Sequence, residues 1–273
     1  MKFKNKNVIV TGGSKGLGYE ICKQFLQEGA NVSFCARNTS DLIQAHDNLL
    51  QYKLDSSILN SCSVDVSDYE SIISFLDDSE KIFGNIDIVI SNAGIIGCKG
   101  LIEEIDVHEF TKTVAINLFS NVYLFNHVIG KMKERNFGRI VVMSGGGATK
   151  PLMNMSAYAA SKAGLVRLAE TVAMEAEGFD IKINCLAPGA LNTSILDEMI
   201  KSKNNIDYVF YEKCLKQKKE GGDSIEKAAS TCLRLCENDV KITGKLISAV
   251  WDDLESFVCK DLDDDIYTIR RLV

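Results

Sequence analysis

Stretches that read as buried β-strands alternate with stretches that read as amphipathic helices from Asn7 to about Val250, and this alternation restricts the fold more than any other feature. The strand signals are Asn7–Val10, Asn31–Ala36, Ser61–Val66, Ile86–Ile90, Arg139–Met143, Ile181–Leu186 and Ile242 to about Val250. Helical periodicity fills the gaps: Tyr19–Glu28 stopped by Gly29, Thr39–Tyr52, a segment opened by Ser67-x-x-Glu70 and ending near Gly84, a long region from Asp106 to Glu134, Ser156–Glu177 and Ser224–Glu237. Strands joined through helices pair in parallel, and the helices then cover both faces of the sheet. The expected fold class is therefore α/β, a doubly wound parallel sheet in three layers, with residues 1–273 forming one domain. Ligands of such sheets gather at the carboxyl ends of the strands. Polar and glycine residues recur at those exits, at 11–18, Arg37, Asp65, Asn92, Ser144 and Pro188, which points to one shared cleft.

The bulk numbers agree with that picture and exclude others. A chain of 273 residues with 46% hydrophobic and 25% charged residues can bury one large core, and no proline- or serine-rich linker divides it. The net charge of −6 argues against nucleic acid as a partner. No apolar run reaches the ~20 residues of a membrane helix, and with the first strand beginning by Asn7 no leader peptide is expected. Nine cysteines without a Cys-x-x-Cys pair suggest reduced thiols and a cytoplasmic setting. His46, His108 and His127 lie in separate segments, so no metal site is expected.

Two motifs carry chemistry. The first strand runs into Thr11-Gly-Gly-Ser-Lys-Gly-Leu-Gly18, followed by a helix. Strand, glycine turn and helix together form a dinucleotide site. Gly12 permits the tight turn, Gly16 lets the backbone approach a pyrophosphate, and Gly18 allows close helix packing beside amides that receive the anion. The second motif is Tyr158-Ala-Ala-Ser-Lys162. Residues four apart share a helix face, so the Lys162 ammonium can lower the Tyr158 phenol from its usual pKa of about 10 and fit it for proton transfer.

With Asn92-Ala-Gly94, Asn117 and Pro188-Gly189 in the same order, the chain resembles the short-chain dehydrogenase/reductase family, in its compact Tyr-x-x-x-Lys branch, over roughly residues 5–248. The resemblance implies a Rossmann-type sheet in the order 3-2-1-4-5-6-7 and a nicotinamide cofactor. It implies that Tyr158 protonates a carbonyl oxygen, that Lys162 holds the nicotinamide ribose, and that Asn117 supports a water leading from Lys162 to solvent. Cofactor contacts are implied for Gly12, Ser14, Lys15, Gly16, Leu17 and Gly18 in the turn, and for Asp65 and Val66 at the adenine. Further contacts are implied for Asn92, Ala93 and Gly94 near the central sheet, and for Pro188, Gly189, Leu191 and Thr193 after the sixth strand. Thr193 can equally be a helix N-cap.

The second strand ends at Ala36-Arg37 with no carboxylate for a ribose hydroxyl. Arg37 and Lys15 instead offer cations to a 2′-phosphate, so NADP(H) is expected over NAD(H). The family's usual serine thirteen positions before the tyrosine is replaced by Gly145, and Ser144 is the nearest hydroxyl that could act in its place. Specificity is expected in a long loop, 191–223, where lysines mix with Tyr208, Phe210 and Tyr211.

The expected activity is interconversion of a carbonyl and a secondary alcohol on a small molecule, with a sugar or nucleotide-linked sugar as the leading substrate. A 3-oxoacyl thioester is the alternative, and a cofactor-binding regulator without turnover is the alternative of another class. Apolar surface on the helix of Tyr158, at 165–177, and on the long helix before Gly138 suggests a homodimer or homotetramer.

Overall fold

The computed structural model describes residues 1–270. Its core is a seven-stranded parallel sheet with the order β3-β2-β1-β4-β5-β6-β7, as the resemblance implies. The strands are β1 (Asn7–Thr11), β2 (Asn31–Ala36), β3 (Leu59–Ser63), β4 (Ile88–Ser91), β5 (Gly138–Met143), β6 (Ile181–Ala187) and β7 (Leu246–Ser248). Between them run α1 (Gly16–Gln27), α2 (Thr39–Leu49), α3 (Tyr69–Phe83), α4 (Val107–Val114), α5 (Ser120–Arg135), α6 (Ser156–Glu175), α7 (Ser194–Lys201), α8 (Tyr208–Glu220) and α9 (Ile225–Arg234).

The two-residue period of each strand divides its side chains between two cores. Val8, Val10, Ile88, Ile90, Val141 and Met143 face one layer, where they meet Phe25 and Leu26 of α1, Leu42 of α2 and Ala228 and Cys232 of α9. Ile9, Val89, Ile140 and Val142 face the other, against Phe75 of α3, Leu124 of α5 and Leu165 and Val166 of α6. Almost every residue of β1, β2, β4 and β5 is buried, which is why these strands read as continuous apolar runs.

Several boundaries differ from those expected. β3 ends at Ser63 rather than Val66, because Asp65 Oδ1 accepts both the backbone N–H (2.9 Å) and hydroxyl (2.6 Å) of Ser67 and turns the chain away from the sheet. With its hydroxyl so engaged, Ser67 does not cap the next helix. Asp68 does, accepting from the Ser71 amide at 2.9 Å. The last strand is short, since Gly244 at φ +69° turns the chain just before it. The segment 191–223, expected as a loop, is mostly two helices, α7 and α8, the latter capped by Asp207 on the Phe210 amide.

The chain after β7 folds back along the open edge of the sheet. Leu246 donates its amide to the Tyr267 carbonyl (2.6 Å), Lys245 Nζ to the Asp263 carbonyl (2.6 Å) and Arg167 to the Ile269 carbonyl (2.7 Å), while Arg270 pairs with Glu170. This pairing covers an edge that would otherwise present free backbone groups. The tail beyond 270 lies outside the described residues. Among the described residues, no helix is long and apolar enough to cross a membrane.

Candidate active site

The glycine turn is built as the spacing requires. Gly12 has φ +67° and Gly16 φ +53°, conformations that glycine adopts at little cost. A Cβ on Gly18 would run into the Gly12 carbonyl, so this glycine closes the helix onto the turn. Lys15 occupies the N-cap of α1 without a side-chain cap bond, which leaves the first amides of that helix open to an anion. Ser14 is half-buried beside them, whereas the Leu17 side chain is in the core and can offer a ligand only its backbone.

Thr11 and Asn92 lock the turn to β4. Thr11 Oγ1 accepts the amides of Asn92 and Ala93, each at 3.1 Å, and Asn92 Nδ2 donates to the carbonyls of Thr11 (3.1 Å) and Gly12 (3.0 Å). Asn92 thus ties two strands together at the sheet's carboxyl edge. Gly13 was not singled out in the sequence, yet a Cβ there would collide with the Phe34 ring.

At the far end of the groove, Arg37 is exposed after β2. Lys15 is engaged elsewhere: its Nζ lies 2.6 Å from Asp41 Oδ2, in the first turn of α2. In place of the expected pair of free cations, Lys15 is in an ion pair and Arg37 makes none among the described residues. Asp65 is half-buried, and the Ser67 hydroxyl, followed by the Ser67 amide and the charge of Arg37, holds its carboxyl below the usual carboxylate range. Val66 is buried beside it.

The catalytic candidates meet where β5 ends. Tyr158 and Lys162 share a face of α6, with Lys162 Nζ 5.8 Å from the centre of the tyrosine ring. Asn117, fully buried in a π-turn between α4 and α5, donates to Ser161 Oγ (3.0 Å) and the Ile95 carbonyl (2.9 Å) and accepts the Ile95 amide (2.9 Å). Ser161 in turn donates to the Tyr158 carbonyl at 2.8 Å. A Cβ on Gly94 would lie 3.2 Å from Asn117 Oδ1 and 3.4 Å from Lys162 Nζ, so these residues surround one small space.

The electrostatics correct the expectation for Tyr158. Lys162 turns its ammonium onto the Met143 carbonyl at 2.7 Å rather than onto the phenol. Burial pushes the Tyr158 phenol up to about 12, and burial pulls Lys162 down to about 8. With the cation held by a carbonyl, desolvation outweighs attraction and the phenol keeps its proton. Ser144 is buried, its amide fixed to the Leu186 carbonyl at 2.8 Å, and its hydroxyl has no hydrogen-bond partner among the described residues. Gly145 lies in extended backbone directly under the Tyr158 hydroxyl, which occupies the space a Cβ would need.

The wall opposite comes from the chain after β6. Gly189 has φ +98° and leaves no room for a side chain beside Asp223, whose carboxylate accepts the Ala190 amide at 2.6 Å. Leu191 then pairs with Asp223 in a single bridge. Thr193 starts α7 without capping it through its side chain, and its methyl lies 3.2 Å from where a Gly16 Cβ would stand, so it faces the glycine turn. Further along α7, Glu198 pairs with Lys99 at 2.5 Å, and Lys99 also donates to the Gly97 carbonyl at 3.1 Å. Three of the lysines in 191–223 have partners within that segment: Lys218 pairs with Asp197, Lys216 with Glu220, and Lys203 rests on the Tyr211 ring.

Asp41, Lys99, Ser161 and Asp223 escaped the sequence reading. Only Ser161 left a local signal, three residues after Tyr158 on the same helix. Away from the cleft, His127 is not isolated: it meets Asp77 and Glu80, with the Lys131 ammonium 2.8 Å from its Nε2 and 2.5 Å from Glu80.

The short chain dehydrogenase family pattern matches residues 6–204. The 3-ketodihydrosphingosine reductase of Mus musculus is 33% identical over 199 residues, covering 72% of this chain and 60% of that protein. The match likewise spans only 61% and 57% of two further reductases of this kind, from Danio rerio and Bos taurus. The 2-dehydro-3-deoxy-L-rhamnonate dehydrogenase (NAD(+)) of Sphingomonas sp. strain SKA58 is 30% identical over 208 residues, covering 76% of this chain and 80% of that one. Among solved structures, levodione reductase superposes with a TM-score of 0.82 at 26% identity, covering 93% of this chain and 98% of the other.

Proposed function

The chain belongs to the short-chain dehydrogenase family, and from that premise we propose that it interconverts a carbonyl and a secondary alcohol with NADP(H). The observation that carries this reading is the meeting of Tyr158, Lys162 and Ser144 at the end of β5, beside a glycine turn with open helix amides. Residues 1–273 act as one catalytic unit, with 191–223 forming its substrate side.

The residues fit a dinucleotide. The backbone of Gly12–Gly18 and the start of α1 suit its pyrophosphate, Asp65 and Val66 its adenine, and Arg37 its 2′-phosphate. Asn92, Ala93 and Gly94 line the middle of the groove, and Pro188, Gly189, Leu191 and Thr193 close it from above. When bound, the nicotinamide supplies or accepts the hydride. The chain's own side chains handle the proton and the position of the reacting carbon. Tyr158, a phenol throughout the neutral range, gives its proton to the carbonyl oxygen in reduction and takes it back in oxidation. Lys162 is cationic below about pH 8. Moved off the Met143 carbonyl, it holds the ribose and steadies the phenolate that forms. Asn117 and Ser161 fix the backbone of Tyr158 and leave Lys162 a path to solvent. Ser144 donates to the substrate oxygen.

Arg37 makes no ion pair among the described residues, so Arg37→Ala is expected to weaken NADPH about tenfold to a hundredfold, the worth of one charge-assisted bond, while sparing NADH. Titration of both cofactors checks this, and an unchanged NADPH/NADH ratio contradicts it. One relative bears NAD(+) in its name, which makes this measurement decisive for the preference.

The substrate reading is a sugar-derived carbonyl compound, supported by the polar pair Lys99–Glu198 on the substrate side. A second reading, an acyl-chain carbonyl such as a 3-oxoacyl thioester, is favoured by exposed Leu101, Ile102 and Met153 on the loops after β4 and β5. NADPH consumption with keto-sugar nucleotides, simple sugars and acetoacetyl thioesters, run in parallel with NADP+ reduction by polyols, separates the two readings. Binding of NADPH without turnover on any of them would instead favour a regulatory protein.

All nine cysteines are free thiols, in keeping with work in the cytoplasm. A homodimer is proposed through the α5–α6 side, where Phe119, Val122 and Met174 are exposed, because the tail covers the β7 edge. Light scattering at micromolar concentration is expected to give twice the chain mass, and a monomer would refute the assembly.

A further inference from the structure

Resting on the cofactor reading above, we propose that Asp41 is a specificity-determining residue that weakens the preference for a 2′-phosphorylated dinucleotide by holding Lys15. Lys15 caps α1 and Asp41 sits in the first turn of α2, so their ion pair joins two helix N-termini at the phosphate end of the groove. The position of Asp41 is fixed from behind: its amide donates to Asn38 Oδ1 at 2.9 Å, and an acid in a first turn is favoured by the helix dipole. Lys15 is 60% exposed and Asp41 26%, so the lysine reaches out to an anchored carboxylate rather than the reverse.

Among the described residues Arg37 makes no ion pair, and its charge acts on Asp65 only through space, so it stays available to an anion beside this position. A phosphate dianion entering here meets Arg37 directly. It must take Lys15 from Asp41, and it feels the like charge of that carboxylate at short range. NAD(H), with only hydroxyls on its ribose, meets neither cost. The missing acid at the end of β2 is thus partly replaced, five residues later and from another element, by an acid that acts through Lys15.

Asp41→Asn keeps the shape of the side chain and removes its charge. The variant is expected to bind NADPH about three- to tenfold more tightly, the scale of one exposed cation released, with NADH changed less than about twofold. The gain is expected to shrink as salt is raised and to vanish when Lys15→Ala is added. Asp41→Ser, which keeps a short polar group in the first turn, serves as a second variant should the first destabilise α2. Unchanged or weaker NADPH binding in both variants, an equal gain for NADH, or a gain that survives Lys15→Ala would overturn the proposal. A wild-type chain that binds NADH more tightly than NADPH would defeat the cofactor reading alone, since the response to Asp41→Asn is measured within each cofactor separately.

Discussion

Tyr158→Phe is expected to bind NADPH like the wild type and to lose about 10²–10⁴-fold in turnover, the usual worth of a positioned general acid. The substitution removes one oxygen and keeps the ring. Tyr158 is tied into its surroundings through its backbone, by Ser161 and, behind it, Asn117, and the helix α6 does not depend on the hydroxyl. The fold should therefore survive, and thermal unfolding within a few degrees of wild type is the control. Because burial holds the phenol at about 12, the group is in its acid form at neutral pH, ready for the reductive direction. A variant that reduced its substrate at the wild-type rate would remove Tyr158 from the chemistry.

Ser144→Ala is the second large effect, an expected loss of about 10²–10³-fold in turnover, as for removal of one hydrogen-bond donor from a developing oxyanion. The structure makes this test unusually clean. The Ser144 hydroxyl is buried and makes no hydrogen bond to another described residue, so no protein contact is lost with it. Removing such a group relieves an unmet desolvation cost, and stability should stay level or rise slightly. Lower turnover with equal or greater stability is the signature of a donor kept for a ligand. Undiminished turnover would mean that Ser144 merely ends β5. Gly145→Ser is not expected to rescue the loss, because a side chain there would displace the Tyr158 hydroxyl.

What the sequence disclosed was whatever depends on local periodicity. Runs such as Asn7–Thr11 and Gly138–Met143 are buried on both faces and read as strands by composition alone. The glycine turn was legible because Gly12 and Gly16 need left-handed backbone. Boundaries failed where one side chain decided between alternatives, as when Asp65 claimed the Ser67 hydroxyl and moved the helix cap to Asp68. The segment 191–223 reads either as a loop or as an amphipathic helix with a solvated lysine face, because its lysines obscure the helical stripe. Solvated lysines cover a helix such as α8, with its single buried Cys214, as readily as they do a loop. Pairings between distant elements, Lys15 with Asp41 and Lys99 with Glu198, follow from sheet order and loop path and leave no trace in spacing. The Tyr158 pKa was misjudged for a related reason: shared helix face fixes which residues are neighbours, but the Met143 carbonyl decides where the ammonium points.

The central claim is that this cleft moves a hydride to a carbonyl carbon while Tyr158 supplies the proton. Its most direct test is reduction with NADPH deuterated at the transferable position, followed by mass analysis of the alcohol formed from each carbonyl compound of the parallel panel. One deuterium on the carbinol carbon is expected for at least one compound with the wild-type chain, with its formation slowed about 10²–10⁴-fold in Tyr158→Phe. Stoichiometric NADPH binding with no deuterium in any product, or equal incorporation by the wild type and Tyr158→Phe, would contradict it.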